Sequence, residues 1–165
     1  MKIVSFNTNS VRLRLHQLQA LTDQINPDII GLQETKVQDA DFPLDSFSET
    51  GYEVIFRGQK KYNGVAIFSK EKPTEVVSTL AADLSDQARF LKARMGKVTI
   101  VNTYIPQGMA VDSEKFQYKL SWFDWLRDYF DQHHSPDEPI VWVGDFNIAK
   151  ENIDVHDPDR LWGHV

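Results

Sequence analysis

The feature that constrains the fold most is a set of short apolar runs. They lack the alternation of polar and apolar residues that marks a strand with one solvent-exposed face. Examples are "PDIIGLQE" at 27–34, "KVTIVNTYI" at 97–105 and "PIVWVGD" at 139–145. Runs of this kind are typical of strands that are buried on both faces. The sequence therefore predicts an α/β fold whose sheet is covered on both sides.

Around these runs the pattern predicts more strands than helices. Further strands are expected at 2–7, 52–58, 64–70, 74–80 and 89–95, with amphipathic helices at 15–25 and 113–131. The second helix carries its apolar stripe at Phe116, Leu120, Phe123, Leu126, Tyr129 and Phe130. Two helices can cover one face of a sheet, so we expect the other face to lack its cover in this chain.

Composition and charge narrow the class of protein. With 165 residues and 41% hydrophobic content, the chain is long enough for one domain with a sizeable core. It has no cysteine, no apolar run near the roughly 18 residues of a membrane span, and an N-terminus without the apolar segment of a signal peptide. We therefore expect a cytoplasmic protein without disulfides or thiolate metal sites.

The net charge of −6 is unevenly distributed along the chain. Residues 1–100 hold 13 basic and 12 acidic side chains, a net charge of +1, whereas residues 101–165 hold 5 basic and 12 acidic, a net charge of −7. Nucleic-acid phosphates are bound mainly by Lys and Arg. An acidic half that binds a phosphate ester therefore needs a divalent cation between the two.

Polar side chains stand where the apolar runs end. These residues are Asn7, Glu34, Tyr104, Asp145 and Asn147. Strand ends in α/β sheets deliver side chains into a shared crevice, and carboxylate and amide oxygens suit a hard cation such as Mg²⁺. Each residue alone has a plainer explanation, because Asx residues form turns and a tyrosine can simply pack. Their joint occurrence favours a metal-assisted phosphate site.

The motifs "KIVSFNTNSVR", "PDIIGLQETK", "GQKKYNGVAI", "NTYIPQG" and "GDFNIA" resemble, in this order, those of the exonuclease III family of DNA-repair nucleases. This family belongs to the endonuclease/exonuclease/phosphatase superfamily. The resemblance implies a phosphodiesterase dependent on Mg²⁺, with Mn²⁺ as a substitute. Its expected substrate is duplex DNA with abasic sites or blocked 3′ ends, and its expected activities are those of a 3′–5′ exonuclease and an abasic-site endonuclease.

The same resemblance implies a role for each strand-end residue. Glu34 matches the family's main Mg²⁺ ligand. Asn7 matches the neighbour that steadies the metal and the active-site network, and it is expected among the metal-binding residues. Tyr104 matches the tyrosine that contacts the scissile phosphate. Asp145 matches the aspartate that orients or deprotonates the attacking water, and Asn147 matches the amide that steadies the transition state, both with metal contacts. Arg89 and Gln107 fall where the family places DNA contacts.

The resemblance also implies that something is missing. Family members continue with a second sheet, another catalytic aspartate and a Ser-Asp-His motif. We therefore expect residues 1–165 to be the N-terminal half of a four-layer α/β sandwich, with the second sheet missing. We expect the uncovered sheet face to favour self-association and the isolated chain to be a poor nuclease. His133, His134, His156 and His164 match no family motif and are expected at the surface.

Two alternatives stay open at this point. Phosphoinositide or sphingolipid phosphodiesterases of the same superfamily would use similar metal residues. The chain could also be a non-catalytic half-domain that binds DNA or metal, or pairs with a second copy.

Overall fold

The computed structural model describes residues 1–161. The strands are β1 (Ile3–Asn7), β2 (Ile29–Gln33), β3 (Glu53–Arg57), β4 (Val65–Ser69), β5 (Thr74–Val77), β6 (Phe90–Met95), β7 (Val98–Tyr104) and β8 (Ile140–Asp145). The α-helices are α1 (Leu15–Ile25), α2 (Glu114–His133) and the single turn α3 (Pro158–Leu161). All eight strands and both long helices lie where the sequence pattern predicts them.

The strands form two four-stranded sheets with the orders β1-β2-β4-β3 and β5-β6-β7-β8. Each sheet combines one parallel pair, β1 with β2 and β7 with β8, with antiparallel neighbours. A helix connects the two strands of each parallel pair, α1 in the first sheet and α2 in the second. This crossover brings the carboxyl ends of both strands of a pair to the same edge.

The sheets pack face to face and each helix covers one outer face. Ile29, Val65 and Ile67 of the first sheet meet Leu91, Ala93 and Ile100 of the second in one apolar cluster. The outer face of the first sheet packs on Val11 and α1, and that of the second packs on α2 through Trp122 and Leu126. The result is a four-layer sandwich in the order helix, sheet, sheet, helix.

The α/β sandwich is confirmed, but the expectation that the second sheet is missing from this chain is wrong. Residues 74–145 supply it. The error came from treating all strands as one sheet that both helices had to cover on the same side. Each sheet is covered by a helix on one face and by the other sheet on its second face. In the part of the chain described here, the face from which we expected self-association is therefore covered.

Helix α2 packs on the second sheet with most of the predicted stripe, because Leu126 is buried and Phe123, Tyr129 and Phe130 pack against the same core cluster. Its buried residues are Lys119, Trp122 and Leu126, whereas Leu120 is 44% exposed. The contact face is therefore broader than the predicted stripe and extends to Lys119 and Trp122. Among residues 1–161, no helix combines the length and apolarity that a membrane crossing requires.

The histidine predictions hold in part. His133 and His156 are exposed, as expected. His134 is not solvated: its side chain is only 7% exposed, and its Nδ1 lies 2.8 Å from Glu138 Oε2. His164 lies outside the described residues.

Candidate active site

Four strands deliver the predicted site residues to one edge of the sandwich. In the first sheet, Asn7 ends β1 and pairs with Gln33, the last residue of β2, so Glu34 follows directly beside it. In the second sheet, Tyr104 ends β7 and pairs with Asp145, the last residue of β8. Because both pairs are parallel, the two strand ends of each pair lie at one edge of their sheet, and a hydrogen bond from Asn7 to Asp145 joins the two edges. The site therefore forms where the two sheets meet.

The Asn7 amide joins the two halves of this site. Its Nδ2 donates to Glu34 Oε1 at 2.8 Å and to Asp145 Oδ2 at 2.7 Å. Glu34 follows a strand of the first sheet and Asp145 ends a strand of the second. The Asn7 Nδ2 atom therefore lies between one carboxylate from each sheet. The Asn7 Oδ1 accepts the backbone N–H of Asn9 at 3.0 Å, which fixes the orientation of the amide. These contacts support a role for Asn7 in steadying the carboxylates.

Glu34 is held ionised by its neighbours. Its Oε2 forms an ion pair with Lys36 Nζ at 2.8 Å. Burial raises the pKa of Glu34, but the hydrogen bonds from Asn7 and Lys36 and the neighbouring Tyr104 hydroxyl outweigh it, so the pKa lies below the ordinary value of 4.5. A carboxylate of this kind is available as a cation ligand at neutral pH.

Tyr104 is 8% exposed and its phenol stays protonated. Burial and the negative charge of Glu34 raise its pKa to about 12. The Arg89 guanidinium lies 4.8 Å from the centre of the Tyr104 ring and its Nη1 donates to the Tyr104 carbonyl at 3.2 Å. The Arg89 Nε also donates to Gln87 Oε1 at 2.7 Å. Tyr104 can therefore act as a hydrogen-bond donor beside a fixed positive charge.

Asp145 and Asn147 are held by a tight turn after β8. The Asn147 backbone N–H donates to Asp145 Oδ1 at 3.0 Å, and its Nδ2 donates to the Ile105 carbonyl at 2.8 Å. The Asn147 carbonyl in turn accepts from Lys119 Nζ of α2 at 2.6 Å. Strand, turn and helix together fix the direction of the Asp145 carboxylate.

A cleft of about 500 Å³ opens beside Tyr104. The predicted DNA contacts Arg89 and Gln107 both line it, together with Gln59, Tyr62, Asn63, Gln87, Met109, Lys115 and Tyr118. The structure thus brings all seven predicted site residues to one region. Another depression, of about 280 Å³, lies where β2 begins and contains none of them.

The donor set fits a Mg²⁺ ion that shares its coordination with water and substrate. Within residues 1–161, no group of three His, Asp or Glu side chains could hold a metal ion by itself. Mg²⁺ is usually held by one or two carboxylates plus waters and phosphate oxygens. The carboxylates of Glu34 and Asp145, one on each side of the Asn7 amide, match that requirement.

Two basic residues of the site were not predicted from the sequence. Lys36 lies within the quoted motif "PDIIGLQETK" and forms an ion pair with Glu34. Lys119 is 5% exposed, and burial lowers its pKa while the charge of Asp145 opposes this shift. The sequence does contain a sign of this burial. Lys119 stands three residues before Trp122 and seven before Leu126, which places it on the buried face of α2.

Comparison with known proteins agrees with this architecture. Residues 4–164 match the Endonuclease/Exonuclease/phosphatase family. The chain is 38% identical over 161 residues to the exodeoxyribonuclease III of Haemophilus influenzae, covering 94% of this chain and 60% of that protein. The match to an AP endonuclease from Archaeoglobus fulgidus has a TM-score of 0.94 at 44% identity and covers 99% of this chain and 64% of that one.

A third similar structure is that of a Neisseria 3′ phosphatase bound to product DNA hairpin. Its TM-score is 0.85 at 39% identity, and the match covers 98% of this chain and 63% of that one. The chain belongs to the Endonuclease/Exonuclease/phosphatase family of hydrolases. It spans 60–64% of the length of the three proteins compared.

Proposed function

We propose that this chain is a Mg²⁺-dependent DNA-repair phosphodiesterase of exonuclease III type that hydrolyses duplex DNA at abasic sites and at 3′ ends. The observation that carries the proposal is the Asn7 amide, which holds Glu34 and Asp145 together from two sheets. Similarity to an exodeoxyribonuclease III and to an AP endonuclease supports DNA as the substrate. Mn²⁺ is expected to replace Mg²⁺.

Glu34 and Asp145 would hold the cation, with the Asn147 side-chain oxygen as a further ligand, and Asn7 would steady them. The bound cation would neutralise charge that develops on the phosphate oxygens. Asp145 orients the attacking water and accepts its proton. Tyr104, protonated because its pKa is about 12, donates a hydrogen bond to a phosphate oxygen. No covalent intermediate is needed.

The cleft beside Tyr104 is the expected path of the DNA strand. Arg89 and Lys115 supply positive charge along it, and Gln107 is exposed at its rim. The expected fold unit is an endonuclease/exonuclease/phosphatase domain of which residues 1–165 supply the N-terminal part. By the resemblance to the exonuclease III family, whose site includes a further aspartate and a histidine, we expect residues 1–165 by themselves to cleave more slowly than the longer relatives.

The test uses a duplex oligonucleotide with one abasic-site analogue, incubated with the chain and Mg²⁺ or with a chelator. We expect slow strand cleavage that requires the cation. Glu34→Gln should abolish it and weaken Mn²⁺ binding, which is followed by the paramagnetic resonance of free Mn²⁺. The matched control is Glu49→Gln at an exposed position outside the site. Wild-type Mn²⁺ affinity and cleavage in Glu34→Gln would contradict the assignment.

The same preparation separates the alternatives. Hydrolysis of a phosphoinositide or of sphingomyelin, with intact abasic DNA, would indicate another branch of the superfamily. Binding of Mn²⁺ and DNA without cleavage above the Glu34→Gln background would indicate a non-catalytic domain.

A further inference from the structure

The two halves of the site belong to different sheets, so catalysis would depend on how one sheet is placed on the other. We propose that Asn102 is a positioning residue that locks β2 to β7 across the sandwich and thereby sets Glu34 against Tyr104 and Asp145. The catalytic consequence rests on the proposed function, whereas the structural consequence does not.

Asn102 has no solvent exposure, and its side chain bonds only to the other sheet. Its Nδ2 donates to the carbonyls of Leu32 in β2 and Ala66 in β4, both at 2.9 Å. Its Oδ1 accepts from Gln33 Nε2 at 2.6 Å. Each polar atom of the amide therefore has a partner on the opposite sheet, and the arrangement avoids the cost of an unpaired buried amide.

The opposite sheet is shaped to receive this side chain. A Cβ on Gly31 would lie 3.2 Å from both Cγ and Oδ1 of Asn102 and 3.0 Å from Cγ2 of Val143. Such contacts are tight for a side chain in a packed core. The glycine in "IIGLQ" therefore leaves the room that lets Asn102 reach the Leu32 carbonyl of β2 and the Ala66 carbonyl of β4.

This link lies directly beneath the site. Gln33 precedes Glu34, and Asn102 precedes Tyr104 by two residues on the face of β7 that meets the first sheet. Below the hydrogen bond from Asn7 to Asp145, the contact that surrounds this link is apolar and has no directional preference. Hydrogen bonds are directional, and a fully paired buried network can specify one arrangement where apolar packing allows several. The Asn102 network is placed to fix the relative position of the two sheets at the site.

The test reads the geometry of the site without using activity. Both protons of the Asn7 side-chain amide have carboxylate acceptors, so its NMR signals should be shifted from those of a free amide; they are assigned by their loss in Asn7→Ala. We expect Asn102→Leu to move these signals toward the free-amide position. Ile100→Ala, two residues earlier on the same face of β7, also weakens the core but should leave them in place.

Gln33→Leu breaks the same bond from the other end and serves as a second variant, decisive if Asn102→Leu does not fold. If the two residues act as one link, the double variant Gln33→Leu/Asn102→Leu should shift the Asn7 signals no further than Asn102→Leu does. Unchanged Asn7 signals in a folded single variant, or equal shifts in Ile100→Ala, would overturn the proposal.

For cleavage of abasic DNA, we expect Asn102→Leu to lower kcat by about 100-fold with KM unchanged, because a misplacement near 1 Å has that effect on an oriented site. Absence of cleavage by the unmodified chain would count against the proposed function alone, since the Asn7 signals still report the position of the sheets. A rise in KM alone, with kcat retained, would contradict the positioning role.

Discussion

At the scale of single residues, Glu34 and Asn147 share an unusual backbone conformation. Their φ angles are +51° and +48°, in the left-handed region that L-residues other than Asn and Asp seldom adopt. For Glu34 this conformation costs about 1–2 kcal/mol. Strain of this kind persists where the surrounding contacts over-determine it, which agrees with a carboxylate held by Asn7 and Lys36.

The Lys36–Glu34 ion pair makes stability depend on pH. Because the pKa of Glu34 is depressed in the folded state, its ionised form stabilises the fold above its unfolded pKa, and this contribution is lost as the pH falls through the folded pKa. Lys36→Gln should lower stability by up to about 1 kcal/mol at neutral pH, since both side chains are partly exposed. The difference from the unmodified chain should vanish on acidification.

Urea unfolding between about pH 7 and about pH 3 measures this difference. Lys60→Gln at an exposed position is the control. A Lys36→Gln difference that is the same at every pH would show that the lysine acts by packing rather than through the charge of Glu34.

Asp145→Asn separates the chemical from the structural role of Asp145. The aspartate accepts two hydrogen bonds, from the Asn147 N–H and from Asn7 Nδ2. The asparagine can keep one of them, so we expect a stability loss of about 1 kcal/mol. Loss of the base should lower the cleavage rate by about 10²–10⁴ with DNA affinity retained.

Single-turnover cleavage, DNA affinity and the melting temperature decide the outcome, with the exposed Asp137→Asn as control. If rate, affinity and melting temperature all fell together, Asp145 would be structural.

At the scale of elements, the last residues of β8 pass unusually close to β7. Gly144 has a φ of +152°, and a Cβ there would lie 2.1 Å from the Thr103 carbonyl oxygen. Any larger residue would push β8 away from β7 immediately before Asp145. The glycine is therefore required by the close approach that aims the turn carrying Asp145 and Asn147.

Gly144→Ala should destabilise the fold by about 1–3 kcal/mol or more, through overpacking against β7. Gly51→Ala is the matched control, because Gly51 also has a positive φ, of +74°, but a Cβ there would have no neighbour within 4 Å. Thermal unfolding of the two variants compares a positive-φ site with a clash to one in open space. Equal losses for both would contradict a role for the close approach.

The sequence predicts the individual strands and helices better than it predicts how they assemble into sheets. The runs at 27–34 and 97–105 predict strands, which the structure has at 29–33 and 98–104. The residues that follow or end these strands, Glu34 and Tyr104, do meet. The division into two sheets was missed, because a strand apolar on both faces does not say whether a helix or another sheet covers it. Buried polar residues such as Asn102 were missed because a lone amide in an apolar run has no signal that distinguishes a core link from a turn.

At the scale of the whole molecule, few of the 18 basic side chains stand at the cleft where we propose that DNA binds. The cleft beside Tyr104 is lined by Arg89 and Lys115, and Lys36 stands at Glu34. Each cation that contacts a phosphate contributes close to −0.9 to the slope of log K against log salt. Three contacts therefore predict a slope of about −2 to −3, which is shallow for a DNA-binding protein.

Fluorescence anisotropy with a phosphorothioate abasic duplex, at fixed Mg²⁺ and varied KCl, measures this slope. Arg89→Gln should weaken binding and make the slope shallower by about one, because it removes one released counterion. Arg94→Gln, at the opposite end of β6 and exposed, should leave affinity and slope unchanged. A slope near −6 or steeper, or an equal effect of both variants, would mean that cations outside this cleft hold the DNA and that the cleft is not its path.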